Sequence, residues 1–170
     1  MISNTLSTDR LILRAFTLDD VDFIIQLLNT PGWLQFIGDR GVKTVSDAEA
    51  YLLNGPMKSY QVNGFGLSMV ALKSDGRPIG MCGLIKRDML EDVDIGYALL
   101  PEFAGQGYAF EIASATLDYA RKDLGFSRIV AITDPQNSHS IRLLEKLGLR
   151  FEKMVKLAND DKEIMFFATT

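Results

Sequence analysis

The sequence predicts a single α/β domain, of the α+β kind, over residues 1–170, and three observations support this fold class. A chain of 170 residues that is 47% hydrophobic is long and apolar enough for one substantial core. Short apolar runs alternate along it with segments of helical spacing. No internal repeat, low-complexity stretch or linker interrupts this order. We therefore expect one unit built from interleaved strands and helices.

Each predicted element has its own local pattern. Seven strands are expected where apolar residues alternate or run continuously: residues 10–16, 65–73, 78–86, 93–100, 128–132, 149–157 and 163–168. Four helices are expected from helical spacing and end signals: from Thr17 toward Pro31, from Ser46 toward Met57, from Gly107 to Gly125, and from Asn137 to Gly148. Ser46 and Glu49 form a predicted capping box at the start of the second helix.

The segment 95–109 joins a strand to a helix through a turn that contains two glycines. The apolar strand runs through Pro101 into Gly105 and Gly107, and a helix follows at once. Because glycine lacks a Cβ, consecutive N–H groups can converge there on a phosphate or pyrophosphate, and the helix dipole adds positive potential. A tight turn with no ligand is an alternative. The turn lacks the Gly-Lys-Ser/Thr of a P-loop and the third glycine of a dinucleotide fold, which disfavours nucleotide hydrolysis and hydride transfer.

The segment 133–148 follows an apolar strand and begins a helix near Asn137. Asn137 and Ser138 are natural cap residues. Helical spacing places Asn137, Ser140 and Leu144 on one stripe, so two polar groups could meet a ligand that the glycine turn holds. The alternative is that Asn137 only caps the helix and that Ser140 faces water.

Together these two segments resemble the GCN5-related N-acetyltransferases, the GNAT superfamily, and within it the branch of ribosomal-protein alanine and serine acetyltransferases. The resemblance is carried by residues 95–103, 105–111 and 137–148, and it extends upstream to 8–14 and 78–84. It implies a mixed, mostly antiparallel sheet of seven strands flanked by helices. It also implies acetyl-CoA as the acetyl donor.

The resemblance assigns acetyl-CoA to particular residues. Its pyrophosphate would lie on the backbone of the glycine turn, formed by Ala104, Gly105, Gln106, Gly107, Tyr108 and Ala109. Its pantetheine arm would pair with the strand that ends at Leu99 and Leu100, and Asn137 would bind the arm. Arg142 recurs with Lys146 and Arg150 at helical spacing; these cations could meet the ribose phosphate or form an exposed face.

Two positions depart from the family pattern. Ala104 stands where an Arg or Gln is usual. Because the turn works through main-chain N–H groups, losing that side chain should weaken the site rather than remove it. Leu144 stands where many relatives carry the Tyr that protonates the leaving thiolate. Ser140, one turn earlier on the same stripe, is then the polar group expected to hydrogen-bond the sulfur.

Amide formation needs a group that takes a proton from the attacking amine, and donors for the carbonyl oxygen. Side-chain alternation puts Asp92 and Asp94 on one face of the fourth strand. Because members of the family often have a basic carboxylate near this point, the resemblance makes Asp94 the candidate general base and Asp92 the second choice. The donors are expected from the backbone near Leu99 and Leu100. An ordered water is the alternative base, and acidic residues that lead into a strand are commonly only solvated.

The acceptor pocket is expected from the front of the chain. Trp33, Phe36 and Phe65 would line a slot, Asp39 would attract the amine, and Arg40 would bind a carboxylate or a phosphate. The alternative is that the aromatic residues belong to the core and the charges to a solvated turn.

Composition narrows the partners. A net charge of −4 and an isoelectric point near 5.0 argue against nucleic acid and suit a cationic amine. One Cys and one His leave neither an internal disulfide nor a metal cluster of ordinary ligand spacing. No segment reaches the ~18 apolar residues of a membrane span, and the N-terminus does not match a signal peptide. We expect a cytoplasmic protein without a membrane partner, and a homodimer stays open.

The sequence therefore predicts an acetyl-CoA-dependent N-acetyltransferase that acts on a protein N-terminus or a small-molecule amine, without a metal. Two alternatives stay open. A non-catalytic acyl-CoA-binding module would keep the glycine turn without transfer. A turn that belongs only to the core would bind no cofactor at all.

Overall fold

The computed structural model describes residues 5–157 and 160–170. Within these residues the chain forms one sheet of eight strands and six α-helices. The strands are β1 (Leu6–Ser7), β2 (Leu11–Arg14), β3 (Leu67–Leu72), β4 (Pro78–Ile85), β5 (Asp94–Leu99), β6 (Val130–Thr133), β7 (Arg150–Lys156) and β8 (Glu163–Ala168). The helices are α1 (Val21–Leu28), α2 (Pro31–Phe36), α3 (Val45–Asn54), α4 (Pro56–Asn63), α5 (Tyr108–Lys122) and α6 (Ser138–Lys146).

The sheet has the strand order β1-β2-β3-β4-β5-β6-β8-β7. All neighbouring strands are antiparallel except β5 and β6, which are parallel. The predicted mixed, mostly antiparallel sheet with flanking helices is therefore confirmed. The strand that the sequence did not predict is β1, which pairs with β2 at the edge of the sheet. Its two residues are too few to show an alternating pattern.

The segment between β2 and β3 contains four helices where the sequence predicts two. Pro31 occupies the first turn of α2, where its missing N–H would have had no partner in any case. Gly55 ends α3 and Pro56 begins α4, so the predicted helix from Ser46 toward Met57 is broken in two. Proline excludes a continuous helix across this point because it has no N–H to donate.

The capping box of α3 is formed by Thr44 and Asp47, so the predicted box at Ser46 and Glu49 is wrong. Thr44 Oγ1 accepts a hydrogen bond from the N–H of Asp47 at 3.1 Å. Asp47 Oδ2 accepts one from the N–H of Thr44 at 3.0 Å. Both patterns have the same spacing, and an Asp replaces the usual Glu or Gln, which is why the second pattern misled the sequence prediction.

The parallel strands β5 and β6 share a single residue pair, Asp94 with Val130. There the N–H of Val130 donates to the carbonyl oxygen of Val93 at 2.9 Å. Beyond it β5 is paired on one edge only, with β4; at its end, Leu100 donates its N–H to the carbonyl oxygen of Ile79 at 2.8 Å. Because successive residues turn their backbone groups to opposite edges, those of Tyr97 and Leu99 face the gap that opens between β5 and β6.

The two faces of β5 carry different chemistry. Tyr97 lies opposite Cys82 of β4, and Cys82 Sγ contacts Thr116 Oγ1 of α5 at 3.5 Å, so Tyr97 is on the α5 face. That face is apolar beneath α5, where Ile112 and Leu117 are buried. Asp94 is three residues from Tyr97, so alternation puts its side chain on the other face. The gap beside β5 is therefore the passage through which groups on the two faces can meet.

Replacing Gly83 by Ala should destabilise the fold by steric overlap inside the sheet. A Cβ at Gly83 would collide with the carbonyl oxygen of Gly66 and would lie 2.8 Å from Leu67 Cα. These are backbone atoms that cannot rotate away. We expect the free energy of unfolding to fall by about 3 kcal/mol, the upper part of the range for overpacking. Urea denaturation followed by circular dichroism measures the change.

The matched control is Gly32→Ala in α2. A Cβ at Gly32 has nothing within 4 Å, and Ala favours a helix over Gly by about 1 kcal/mol, so the midpoint of unfolding should stay or rise. Equal midpoints for the two variants would contradict the steric explanation.

Candidate active site

A cavity of about 560 Å³ lies where β5 and β6 part. Its lining comes from both faces of the sheet. Arg87 and Asp94 line it on one face, and Tyr97 and Ser140 line it on the face that carries α5 and α6. Residues that are far apart in sequence are thus brought to a single space between two strands.

Asp94 lies at the closed end of the gap, in the residue pair that joins β5 to β6. Its side chain is 1% exposed, and Arg87 Nε donates to its Oδ2 at 2.5 Å. Burial raises the pKa of Asp94 above its usual value, and the charge and hydrogen bond of Arg87 oppose that rise. A carboxylate with a raised pKa accepts a proton at a pH closer to neutral than an ordinary Asp does.

Asp92, the second candidate base, has different surroundings. It precedes β5, is partly exposed, and accepts a hydrogen bond from Arg128 Nε at 3.1 Å. Arg128 also pairs with Glu152 of β7. Asp92 is absent from the lining of the cavity. The two acids therefore do not form a pair, although they are two positions apart.

Ser140 lies on the opposite side of the cavity, in the first turn of α6. Its hydroxyl and the hydroxyl of Tyr97 are 2.9 Å apart, so one donates to the other. Burial raises the pKa of Tyr97 to about 12, which the hydrogen bond from Ser140 opposes. The phenol therefore keeps its proton at neutral pH and can donate a hydrogen bond into the cavity.

Asn137 is the N-cap residue of α6. Its Oδ1 accepts a hydrogen bond from the N–H of Ser140 at 3.3 Å, and the side chain also lines the cavity. Leu144, the third residue of the predicted stripe, is buried in the core. The first two residues of the stripe therefore line the cavity, and the third packs in the core.

The glycine turn lies directly before α5. Gly105 has φ 75° and Gly107 has φ 83°, both in the left-handed region that other residues rarely adopt. In the described part of the chain, the N–H groups of Gly105, Gln106 and Gly107 have no hydrogen-bond acceptor. Gly107 is the N-cap of α5 and has no side chain to satisfy the helix start. The turn therefore offers several free N–H groups at the positive end of a 15-residue helix.

Arg10, the residue before β2, is bonded to this turn. Its Nη1 donates to the carbonyl oxygen of Gln106 at 3.0 Å, and its Nε pairs with Glu111 at 2.7 Å. Its guanidinium also lies 4.3 Å from the centre of the Tyr108 ring. The guanidinium of Arg10 thus lies beside the turn, although the position of Ala104, where an Arg or Gln is usual, provides no polar side chain. Ala104 has its own N–H bonded to Pro101.

Near the end of β5, some backbone N–H and C=O groups are hydrogen-bonded within the protein and others are not. Leu100 donates its N–H to Ile79 and accepts a hydrogen bond from the N–H of Phe103 at 3.0 Å. Leu100 therefore has no backbone group left for a ligand. Leu99, whose backbone faces the gap, keeps both.

The residues predicted for the acceptor pocket separate into two groups. Trp33, Phe36 and Arg40 line the cavity. Asp39 does not line it; it is exposed and pairs with Lys43 at 3.4 Å. Phe65 is buried elsewhere, edge-on to Phe126 with ring centres 5.7 Å apart.

Arg142 is exposed on α6 and lies outside the cavity lining. Its guanidinium is 3.4 Å from the ring of His139, one turn earlier. Within residues 5–157 and 160–170, no group of three or more His, Cys, Asp or Glu side chains could hold a metal ion. No described helix is both long enough and apolar enough to cross a bilayer.

Comparison with known proteins assigns the family. A sequence model of the acetyltransferase (GNAT) domain matches residues 10–150. The chain belongs to the GNAT acetyltransferases. The N-acetyltransferase p20 of Bacillus licheniformis is 30% identical over 155 residues, which cover 89% of this chain and 85% of p20. The family and the enzyme class predicted from the sequence, an N-acetyltransferase, are therefore confirmed.

Solved structures share the fold of this acetyltransferase. The acetyltransferase of Agrobacterium tumefaciens strain C58 has a TM-score of 0.84 at 24% identity, over 98% of this chain and 94% of that one. RimL, a ribosomal L7/L12 alpha-N-protein acetyltransferase solved in complex with coenzyme A, has a TM-score of 0.79 at 19% identity, over 97% of each chain. The expected resemblance to ribosomal-protein acetyltransferases thus extends to the whole fold.

The cavity-lining residues of this acetyltransferase that were not predicted from the sequence include Tyr51, Arg87 and Tyr97. For Tyr97 a signal existed, because strand alternation places it on the face opposite Asp94. For Tyr51 and Arg87 no local signal existed. They reach the cavity only through the packing of a helix and a loop against the sheet.

Proposed function

We propose that this acetyltransferase acts as one domain and transfers the acetyl group of acetyl-CoA directly to a primary amine, on a small molecule or a protein N-terminus. One observation carries the proposal. The cavity between β5 and β6 has a buried carboxylate, Asp94, on one face of the sheet and a hydroxyl pair, Tyr97 with Ser140, on the other. A proton acceptor and a proton donor therefore flank one space.

The residues of the glycine turn fit a pyrophosphate. The free N–H groups of Gly105, Gln106 and Gly107 and the helix dipole of α5 favour an anion, and Arg10 adds positive charge. A Cβ at Gly107 would lie 3.3 Å from Arg10 Nη2, in the space between the turn and this cation. These contacts support the assignment of the turn to acetyl-CoA.

The edge of β5 and the start of α6 fit the arm of the cofactor. The backbone groups of Tyr97 and Leu99 face the gap and can pair with the amides of an extended ligand, as a neighbouring strand would. The amide nitrogen of Asn137 has no hydrogen bond to a described residue, and Asn137 lines the cavity together with Tyr97. The N–H of Leu99 is also available to the carbonyl oxygen of an acetyl group.

Acetyl-CoA supplies an acetyl thioester. The protein must then accept one proton from the amine and donate one to the sulfur. The amine nitrogen gives up a proton as its bond to carbon forms; Asp94 accepts it, directly or through water. The sulfur gains negative charge as its bond to carbon breaks. Ser140 donates its hydrogen bond to the Tyr97 oxygen, and Tyr97 donates to the sulfur and carries the proton that it needs. Because Leu144 has no hydroxyl to protonate the sulfur, Tyr97 takes this role, and it lies on β5 rather than on α6.

The alternative is a non-catalytic acyl-CoA-binding module. It would need the glycine turn but neither Asp94 nor the hydroxyl pair. The test is release of CoA thiol from acetyl-CoA in the presence of a panel of amines, with product identified by mass spectrometry. Transfer to at least one amine supports the enzyme. Binding of acetyl-CoA with no transfer to any amine would favour the module.

Replacing Gly107 by Val should weaken binding of CoA by ~10-fold or more, because the side chain fills the space beside the free N–H groups. Isothermal calorimetry with CoA measures the affinity. The matched control is Gly125→Val at the other end of α5. Gly125 has φ 75°, so both variants carry similar backbone strain, but only Gly107 adjoins the turn. The assignment would fail if the folded Gly107 variant bound CoA as tightly as the Gly125 variant.

Replacing Asp94 by Asn should lower kcat/KM at neutral pH by about 100-fold, and high pH should restore part of the loss because more of the amine is already neutral. In the unmodified enzyme the rate should fall as pH drops through the pKa of Asp94, since the protonated acid cannot accept a proton. Burial holds that pKa above the usual Asp value, so the fall begins at a higher pH.

Asp92→Asn is the control for the pH–rate profile. It also removes one carboxylate two positions away, but outside the cavity, so its profile should match that of the unmodified enzyme. An unchanged profile for Asp94→Asn, or a loss confined to Asp92→Asn, would exclude Asp94 as the base.

Tyr97→Phe and Ser140→Ala should each lower kcat by ~10- to 100-fold and leave the affinity for acetyl-CoA nearly intact. The double variant should lose less than the product of the single losses, because the two hydroxyls act as one hydrogen-bonded pair. Steady-state kinetics measures all three. Ser138→Ala, an exposed Ser in the same helical turn, is the control and should keep normal kcat. If Ser140→Ala alone turns over normally, Tyr97 is the donor and Ser140 only positions it; normal kcat for both would exclude the pair.

A further inference from the structure

The part of the cavity beside Asp94 is lined by hydrogen-bond donors that lack acceptors. We call it the acceptor end, formed by Trp33, Arg40, Tyr51, Arg87 and Asp94. Within residues 5–157 and 160–170, Arg40 has no carboxylate within hydrogen-bonding or ion-pairing distance. The hydroxyl of Tyr51 likewise makes no hydrogen bond to a described residue. Arg87 uses only its Nε, on Asp94, which leaves both of its terminal nitrogens as donors.

Trp33 adds a buried donor to this end. Its side chain is 7% exposed, and its indole N–H is the buried side-chain polar group without a partner in the described part of the chain. A buried N–H without an acceptor costs free energy in the free protein, which an acceptor on a ligand would recover. Because Trp33 also lines the cavity, the missing partner and the free space occur together.

The donors of the acceptor end are close to one another. Arg87 contacts Asp94 directly. The charges of Arg40 and Arg87 both act on the hydroxyl of Tyr51 and oppose the rise in its pKa that burial causes. Two guanidinium groups and a phenol therefore line one cavity.

The carboxylates in the cavity lining are Asp94, Asp134 and Asp160, and none of them pairs with Arg40. Asp94 is paired with Arg87. Asp134, at the end of β6, is paired with Lys162. Asp39 is exposed and paired with Lys43, outside the cavity lining. Because Asp94 balances Arg87, the unpaired charge at the acceptor end is that of Arg40, and it favours an anion over a second cation in spite of the net charge of −4 on the whole chain.

We infer that the amine acceptor carries an anionic group, a carboxylate or a phosphate, a few bonds from its nitrogen. The anion binds to Arg40, Tyr51 and the free nitrogens of Arg87, and the amine faces Asp94. Arg87 then bridges the base and the substrate anion, because its Nε is on Asp94 while its terminal nitrogens have no hydrogen-bond partner among the described residues. This inference is a refinement of the proposed function, since it names the class of acceptor for the same site.

The test compares amines that differ only in the anion. One pair is an amino acid and its primary amide, phenylalanine and phenylalaninamide; the other is phosphoethanolamine and ethanolamine. Spermidine serves as the cationic amine. CoA release should be at least ~10-fold more efficient, in kcat/KM, for the anionic member of one pair. The pair that shows the preference distinguishes a carboxylate from a phosphate.

Arg40→Gln should remove most of this preference through KM while kcat changes little, and Arg40→Lys should keep part of it. Arg121→Gln is the matched control, since it removes an exposed arginine in the last turn of α5 that does not line the cavity, and it should keep the preference. Equal efficiency for anionic and neutral members, a preference for spermidine, or an unchanged preference in Arg40→Gln would overturn the inference.

Calorimetric binding of the same amines to the protein saturated with CoA separates this inference from the proposed function. If no amine is acetylated but the anionic amines bind in a manner that depends on Arg40, the proposed function fails and the ligand class stands. If amines are acetylated but the anion has no effect on binding or on KM, the function stands and the ligand class fails.

Discussion

The structure depends on one constraint, the parting of β5 and β6 after a single residue pair. Parallel strands normally satisfy one another's backbone groups along their whole length. Here the backbone groups of Tyr97 and Leu99 are left without a strand partner, and the sheet has an opening at its centre. A ligand that follows the edge of β5 replaces the missing strand. The same opening brings groups from the two faces of the sheet to one space, so the gap that costs backbone hydrogen bonds is also where we propose that the chemistry occurs.

The buried pair of Asp94 and Arg87 is better explained by chemistry than by stability. A buried ion pair must overcome the desolvation of both charges, and an apolar pair of similar volume often serves the fold as well. Asp94 is held at the point where the strands part, and its raised pKa suits proton transfer. Arg87 limits that rise and so keeps the carboxylate available in its charged form. On the other face, burial raises the pKa of Tyr97 to about 12, so its proton is present at neutral pH for the proposed donation to the sulfur.

The sequence predicts the parts of this site that are local in the chain. The glycine turn and the cap at Asn137 each lie in one short segment, where φ requirements and helix ends have their own signals. The strands from β2 to β8 were found in the same way, and the mixed sheet through the family resemblance, whereas β1 and the helices α2 and α4 were missed. Two residues make too short a strand, and the break at Gly55 and Pro56 was not recognised. The register between β5 and β4 decides that the backbone of Leu100 is hydrogen-bonded and that of Leu99 is not. No local sequence pattern encodes this register.

The acceptor end differs because it is assembled from distant segments. Trp33 comes from α2, Arg40 from the loop that follows, Tyr51 from α3, and Arg87 from the loop between β4 and β5. Each of these residues has an ordinary explanation when taken alone, as core or as solvated turn, and only their common cavity gives them a shared role. Asp39 and Arg40 are neighbours in sequence, yet one faces Lys43 and the other lines the cavity. Since none of the four residues belongs to the sheet, substitutions there can change which amine is accepted while β5, the glycine turn and the hydroxyl pair remain as they are. The segment 31–54 and the loop at Arg87 are therefore where selectivity for the acceptor is expected to be set.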